Sequence, residues 1–144
     1  MINKVVPFLW FDTQALEAIE FYVSLIDDSK ITDVSYDDEG AVRGVSFILK
    51  GMEYSALNGG PYFPQTPAFS LFVECTNQVE VDRLWTAFTL NGKAGQCGWL
   101  TDEYGVSWQI IPKQLIDCLE DPTKAEAAME AMLKMTKIDC ALLP

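Results

Sequence analysis

A chain of 144 residues, 49% hydrophobic and 22% charged, has room for one ordinary domain with a real core and is too apolar for a disordered segment. Its net charge of −11 argues against a nucleic-acid binder, because a phosphate backbone would be repelled. No apolar run approaches the ~20 residues of a membrane span, and the absence of histidine removes the Ser-His-Asp triad, the Cys-His dyad and every imidazole-based metal site.

The opening Met1-Ile2-Asn3-Lys4 lacks a signal-peptide pattern. Cys75, Cys97, Cys118 and Cys140 lie more than twenty positions apart, so no CxxC pair exists. Free thiols and a cytoplasmic location are therefore expected.

In chain order, Val5 to Phe11 is a continuous apolar run that reads as a central strand, with Pro7 placed where no ladder donor is needed. Asp12 or Thr13 is expected to cap a helix over Ala15 to Ile26, whose apolar positions recur at helical spacing. Strands follow at Lys30 to Tyr36, Val42 to Leu49 and Met52 to Leu57, the last two joined by a tight Lys50-Gly51 turn. Asp37-Asp38-Glu39-Gly40 is a solvated turn. The order is βαβββ.

The linker Asn58 to Pro67 holds two Gly and three Pro. The pattern then restarts. Ala68 to Glu74 reads as a strand, Asn77 with Glu80 as a capping box, and the residues to about Leu90 as a helix whose apolar face is Val81, Leu84, Trp85 and Phe88. Lys93 to Cys97 is a weak strand. Trp99-Leu100 and Val106 to Ile111 flank a turn containing Gly105, which reads as a hairpin. In the second arm Val106, Trp108 and Ile110 point one way, and Ser107, Gln109 and Ile111 the other. A shift of 63 positions lays Phe8-Leu9-Trp10 on Leu71-Phe72-Val73, and a shift of 54 lays Gly51 on Gly105 and Ser55 on Gln109. The division is one domain over 1–144: module one 1–58, linker 59–67, module two 68–112, helical tail 113–144. In the tail, Asp121-Pro122 is expected to start a last helix with the stripe Ala125, Ala128, Met129, Met132 and Met135, packed on the sheet exterior or on a partner subunit.

The tandem repeat, together with PFLWFD at Pro7–Asp12, EFY at Glu20–Tyr22, ALNGGP at Ala56–Pro61, EVDRLW at Glu80–Trp85, CGWL at Cys97–Leu100 and Asp102, Tyr104-Gly105 with Trp108-Gln109, and MLKM at Met132–Met135, resembles the vicinal-oxygen-chelate superfamily, in particular its PhnB-like branch. The resemblance implies an α+β fold of two βαβββ modules, a U-shaped mixed sheet around a cleft, and a homodimer. Branch members often carry the label 3-demethylubiquinone 3-methyltransferase. The superfamily's metal enzymes take one ligand from the first and last strand of each module, chiefly His and Glu. This chain departs from that pattern, with Ser55 and Gln109 at the last-strand positions and no metal-binding side chain in Val5 to Phe11. No intrinsic metal and no cofactor are expected.

Gln109 is the leading site candidate, as a hydrogen-bond donor and acceptor in the cleft. Ser107 and Ser55 are expected beside it and Trp99 near the rim, with Trp10, Asn58 and Cys97 as further ligand contacts; no catalytic residue is identified. As a nucleophile Cys97 has no evident base, and a buried Cys is usually inert; Asn58-Gly59 is also a turn signal. Three functions remain open. One is a protein that binds a small, partly apolar molecule. Another is an enzyme of the superfamily, of isomerase, lyase or dioxygenase type. The methyltransferase of the label is disfavoured, because the strand–helix turns Phe11–Gln14 and Glu74–Asn77 contain no glycine to approach a methyl donor.

Overall fold

A computed structural model describes residues 1–144 as two compact units, Met1–Gln65 and Thr66–Pro144. The fold is α+β. Each unit holds one four-stranded mixed sheet and a helix on one of its faces.

In the first unit the order along the chain is β1 (Phe8–Phe11), α1 (Ala15–Leu25), β2 (Lys30–Tyr36), β3 (Val42–Leu49) and β4 (Met52–Asn58). The sheet order is β1-β4-β3-β2, with β1 and β4 parallel and the other pairs antiparallel. Alternation along the strands makes the core face. Leu9, Phe11, Val45, Phe47, Leu49 and Ala56 are buried, as are Ala15, Ala18, Ile19 and Tyr22 of α1. Leu49 pairs with Met52, so Lys50 and Gly51 form a two-residue turn, both at positive φ as such a turn demands.

The apolar run at the start behaves differently from the expectation. Only Phe8–Phe11 is strand, and Val5 is exposed. Pro7 has no N–H to donate; its carbonyl accepts from Ser55 N at 2.9 Å and the ladder starts one residue later. β1 is also the edge of its sheet rather than central. Neither Asp12 nor Thr13 caps α1. The cap comes from across the sheet, where Asn58 Oδ1 accepts from Ala15 N at 2.8 Å.

The second unit runs β5 (Ser70–Cys75), α2 (Gln78–Thr89), β6 (Lys93–Ala94), β7 (Trp99–Thr101) and β8 (Ser107–Pro112). Its sheet order is β5-β8-β7-β6, and β5 lies parallel to β8. Asn77 Oδ1 accepts from Glu80 N at 3.1 Å, but Glu80 itself turns to Arg83 at 2.7 Å, so only half of the capping box forms. Val81, Leu84, Trp85 and Phe88 are buried as expected, with Phe88 stacked on Trp108 at 4.4 Å. The weak strand shrinks to two residues, because Cys97 and Gly98 adopt positive φ and cannot continue it.

The repeat needs two spacings for its strands. Leu9 pairs with Ala56 and Val73 pairs with Ile110, so Leu9 corresponds to Val73 when Ser55 corresponds to Gln109. A shift of 63 would set buried Leu9 on exposed Phe72, and one residue of slip turns every side chain to the wrong face.

The tail contains α3 (Lys113–Glu120), α4 (Ala125–Met132) and a terminal 3-10 turn, Cys140–Leu142. The last long helix starts later than Asp121. Asp121 heads a turn instead, its Oδ1 accepting from both the amide and hydroxyl of Thr123. The methionine stripe packs within its own chain: Leu115, Cys118, Ala128, Met135 and Ile138 form a buried cluster against Ile111, with Met132 partly buried and Met129 exposed.

Candidate functional site

Helices cover one face of each sheet, so the opposite faces carry whatever polar groups the strands present. In the second unit the register aligns Phe72, Gln109 and Trp99 across β5, β8 and β7, and Ser70, Ser107 and Thr101 in the next row. Gln109 Nε2 donates to Ser70 Oγ at 3.0 Å. That bond orients the amide and leaves its carbonyl oxygen and second hydrogen for another partner. Trp99 and Gln109 are half-buried and Phe72 is 53% exposed, so the amide is framed by two aromatic side chains on an accessible surface. Ser107, although on this face, is buried.

In the first unit the corresponding row is Phe8, Ser55 and Ser46. A shallow recess of about 200 Å³ opens here, lined by Thr32, Ser46, Ile48 and Ser55 and by the Lys4–Glu53 ion pair at 2.9 Å.

Trp10 and Asn58 belong to a separate cluster in the first unit. Trp10 Nε1 donates to Gly60 O at 2.9 Å, its backbone carbonyl accepts from the Gln65 side chain, and its ring meets Phe63 edge-on at 4.9 Å. Asn58 uses both ends of its amide inside the chain, on Ala15 N and on Val42 O. Gly59 lies so close beneath the indole that a Cβ there would sit 2.2 Å from the ring. Asn58-Gly59-Gly60 is therefore a latch that closes the linker over Trp10.

Cys97 is at the turn into β7, with φ 59 and its N–H donated to Met135 O at 2.8 Å. It immediately precedes Gly98-Trp99. Burial, reinforced by Glu80, pushes the Cys75 thiol up to about 11, and burial followed by Asp139 also raises Cys140. These thiols are protonated at neutral pH and poor nucleophiles.

The residues present do not fit a divalent metal at the first- and last-strand positions. The register sets Phe8 beside Ser55 and Phe72 beside Gln109, which supplies no carboxylate and no imidazole. No three His, Cys, Asp or Glu side chains converge elsewhere. No helix is long and apolar enough to cross a membrane.

The contribution of β5 is what the sequence reading left out. Phe72 completes the Gln109 row and Ser70, in the next row, orients its amide; the alternation Ser70, Phe72, Glu74 against Leu71, Val73, Cys75 was the signal for it.

Comparison with known proteins follows the same outline. The profile of the family described as 3-demethylubiquinone-9 3-methyltransferase matches residues 3–111. A Bacillus cereus protein described as a putative 3-demethylubiquinone-9 3-methyltransferase, PhnB protein, is 34% identical, with a TM-score of 0.72 over 76% of this chain and 99% of its own. A Pseudomonas aeruginosa protein shares the fold at 18% identity and TM-score 0.64, over 77% of this chain and 98% of its own. The fosfomycin resistance protein FosX of Listeria monocytogenes, solved with Mn(II) and sulfate, shares it at 14% identity and TM-score 0.51, over 75% and 90%. Among curated proteins no sequence matches. The chain belongs to the 3-demethylubiquinone-9 3-methyltransferase family, which includes the PhnB protein, as the resemblance to the PhnB-like branch implied.

Proposed function

We propose that this protein binds a small, partly apolar molecule against the Phe72–Gln109–Trp99 row, as a homodimer and without a resident metal. The observation that carries the reading is a neutral amide, aimed by Ser70, between two accessible aromatic residues. Aromatic faces supply apolar area and the amide supplies one directional contact, the usual division of labour in a small-molecule site. The Ser55–Ser46 row offers hydroxyls of similar neutral chemistry.

The family description names a methyl transfer, and this chain's own features do not favour it. Each sheet has a single parallel pair, not the doubly wound parallel arrangement of the common methyl-donor sites, and neither strand–helix turn holds a glycine. The Mn(II) of FosX belongs to a chain only 14% identical; the neutral pair Ser55 and Gln109 favours no such ion here.

A screen of soluble compounds by calorimetry, with turnover followed in parallel, tests the reading. Saturable binding without turnover is expected, and Gln109→Ala should weaken it by about 0.5–1.5 kcal/mol, the net worth of one neutral hydrogen bond. Turnover of a bound compound would make the protein an enzyme of the superfamily. Saturable micromolar binding of S-adenosylmethionine, with methyl transfer to a demethylated quinone, would overturn the proposal. So would a stoichiometric divalent metal whose removal abolishes binding.

A further inference from the structure

The turn that delivers Trp99 to the Gln109 row is built from two successive left-handed residues, Cys97 at φ 59 and Gly98 at φ 84. A side chain in that region is strained. The turn is closed locally, Trp99 N donating to Gln96 O at 3.0 Å and Gly95 N to Trp99 O at 2.8 Å, and the tail adds further support. Cys97 N donates to Met135 O and Gly98 N to Thr136 O, each at 2.8 Å, while Gly98 O accepts from Ile110 N at 2.8 Å. Gly98 has no spare room: a Cβ there would lie 2.8 Å from Ile111 Cδ1 and 3.1 Å from Ile138 Cγ1. The turn is thus gripped between β8 and the tail, one residue from both Trp99 and Gln109.

The gripping segment is itself clamped to α2. Gln78 Nε2 donates to Ile138 O at 3.0 Å, and Gln78 Oε1 accepts from Cys140 N at 2.8 Å. One turn further along α2, Asp82 holds Lys137 at 2.8 Å and accepts from Gln78 at 2.9 Å. All of these tail residues lie beyond the 3–111 match to the family.

We infer that the C-terminal extension, through its Gln78–Asp82 clamp, positions Trp99 beside Gln109. The inference rests on reading that row as the ligand contact. Gln78 and Asp82 are positioning residues, acting through the tail backbone on the turn. In a module ending at β8 the Cys97 and Gly98 amides would bond water, and Trp99 would be held only by its own turn, through Trp99 N on Gln96 O and Gly95 N on Trp99 O, and by β8.

Fluorine NMR of the full chain labelled with 5-fluorotryptophan reads this directly. The four tryptophan signals are assigned by single Trp→Phe changes. In Gln78→Ala the Trp99 signal should shift or broaden while that of Trp10, in the other unit, stays in place. Lys137→Met, which removes only an exposed ion pair and leaves the core intact, should move it in the same sense by less. Asn77→Ala removes the neighbouring helix cap without touching the tail, and should leave Trp99 unmoved despite its stability loss. A Trp99 signal unchanged in Gln78→Ala, or moved as far by Asn77→Ala, would overturn the inference. If Gln78→Ala does not fold, an unchanged signal in Lys137→Met overturns it. Because the readout needs no ligand, an unmoved Trp99 sinks the positioning claim alone, whereas a native chain that binds no compound sinks the functional reading alone.

Discussion

Asp102 is buried, and its carboxylate has three donors: Tyr104 N at 2.9 Å and Val106 N at 3.0 Å on Oδ1, and Trp108 Nε1 at 2.9 Å on Oδ2. The two amides close the turn that Gly105 completes at φ 88, and the indole bond fixes the largest core side chain of the second unit. Asp102→Ala leaves two buried donors and one part-buried donor without that partner, and should cost about 3 kcal/mol in urea unfolding, near the upper end for one buried polar network. Asp102→Asn, which keeps one acceptor oxygen, should cost less. Cys75 provides a prediction in pH. Its folded value, about 11, lies above the 9.0 of an unburied thiol because burial disfavours the thiolate. The unfolded chain therefore releases this proton first, and stability falls as pH rises from about 9 to 11, by on the order of 1–2 kcal/mol. Well below pH 9, where the thiol is protonated in both states, the group contributes no slope. Denaturation midpoints of the native chain and Cys75→Ala across that window check it: the variant should lose the Cys75 part of the slope.

At the scale of the element, the latch Asn58-Gly59-Gly60 joins three pieces of the first unit. Asn58 ends β4 and caps α1, Gly59 N and Gly60 N bond to Phe11 O and Asp12 O, and Gly60 O takes the Trp10 indole. Gly59→Ala must displace the Trp10 ring, and should destabilise by about 1–3 kcal/mol with a changed tryptophan emission, as overpacking does. An unchanged melting temperature would show that the ring moves aside freely. This element also marks the limit of the sequence reading. Helix faces, the Lys50-Gly51 turn and the inward–outward split of β8 were legible, because each depends on local periodicity or on one turn residue. The Gln109 face followed from that alternation. The role of Asn58 was not legible: a helix cap supplied from 43 positions away leaves no local pattern. Nor was the one-residue offset that matches Leu9 to Val73, since FLWF is apolar on both faces and offers no alternation to set against that of SLFVEC. The early part of the tail was obscured by Pro122, which suggested a helix start where a turn stands, while Pro112 directly precedes α3.

For the molecule as a whole, we expect a second copy to cover part of the exposed apolar side chains. The outer strand β2 is defended by Lys30 and Asp33 and β6 is only two residues long, both ordinary protections of a sheet edge. β1 is less protected: Phe8–Phe11 contains no charged residue and Phe8 is 62% exposed, although the Gln65 side chain occupies the Trp10 carbonyl. Phe69, Tyr62 and Phe63 are exposed as well, in a chain whose charge of −11 would otherwise keep copies apart. Like charge on two approaching copies is screened by salt, whereas apolar burial is strengthened by excluded salts such as sulfate. We therefore expect a two-fold dimer whose association tightens with ionic strength. Light scattering at micromolar concentration should give twice the 16.1 kDa of one chain, and Phe8→Glu, placing a further carboxylate on the uncharged strand, should shift the mass toward one chain without unfolding the protein. A mass of 16.1 kDa for the native chain at high salt would rule out the dimer, and an unaltered dimer in Phe8→Glu would move the interface away from β1.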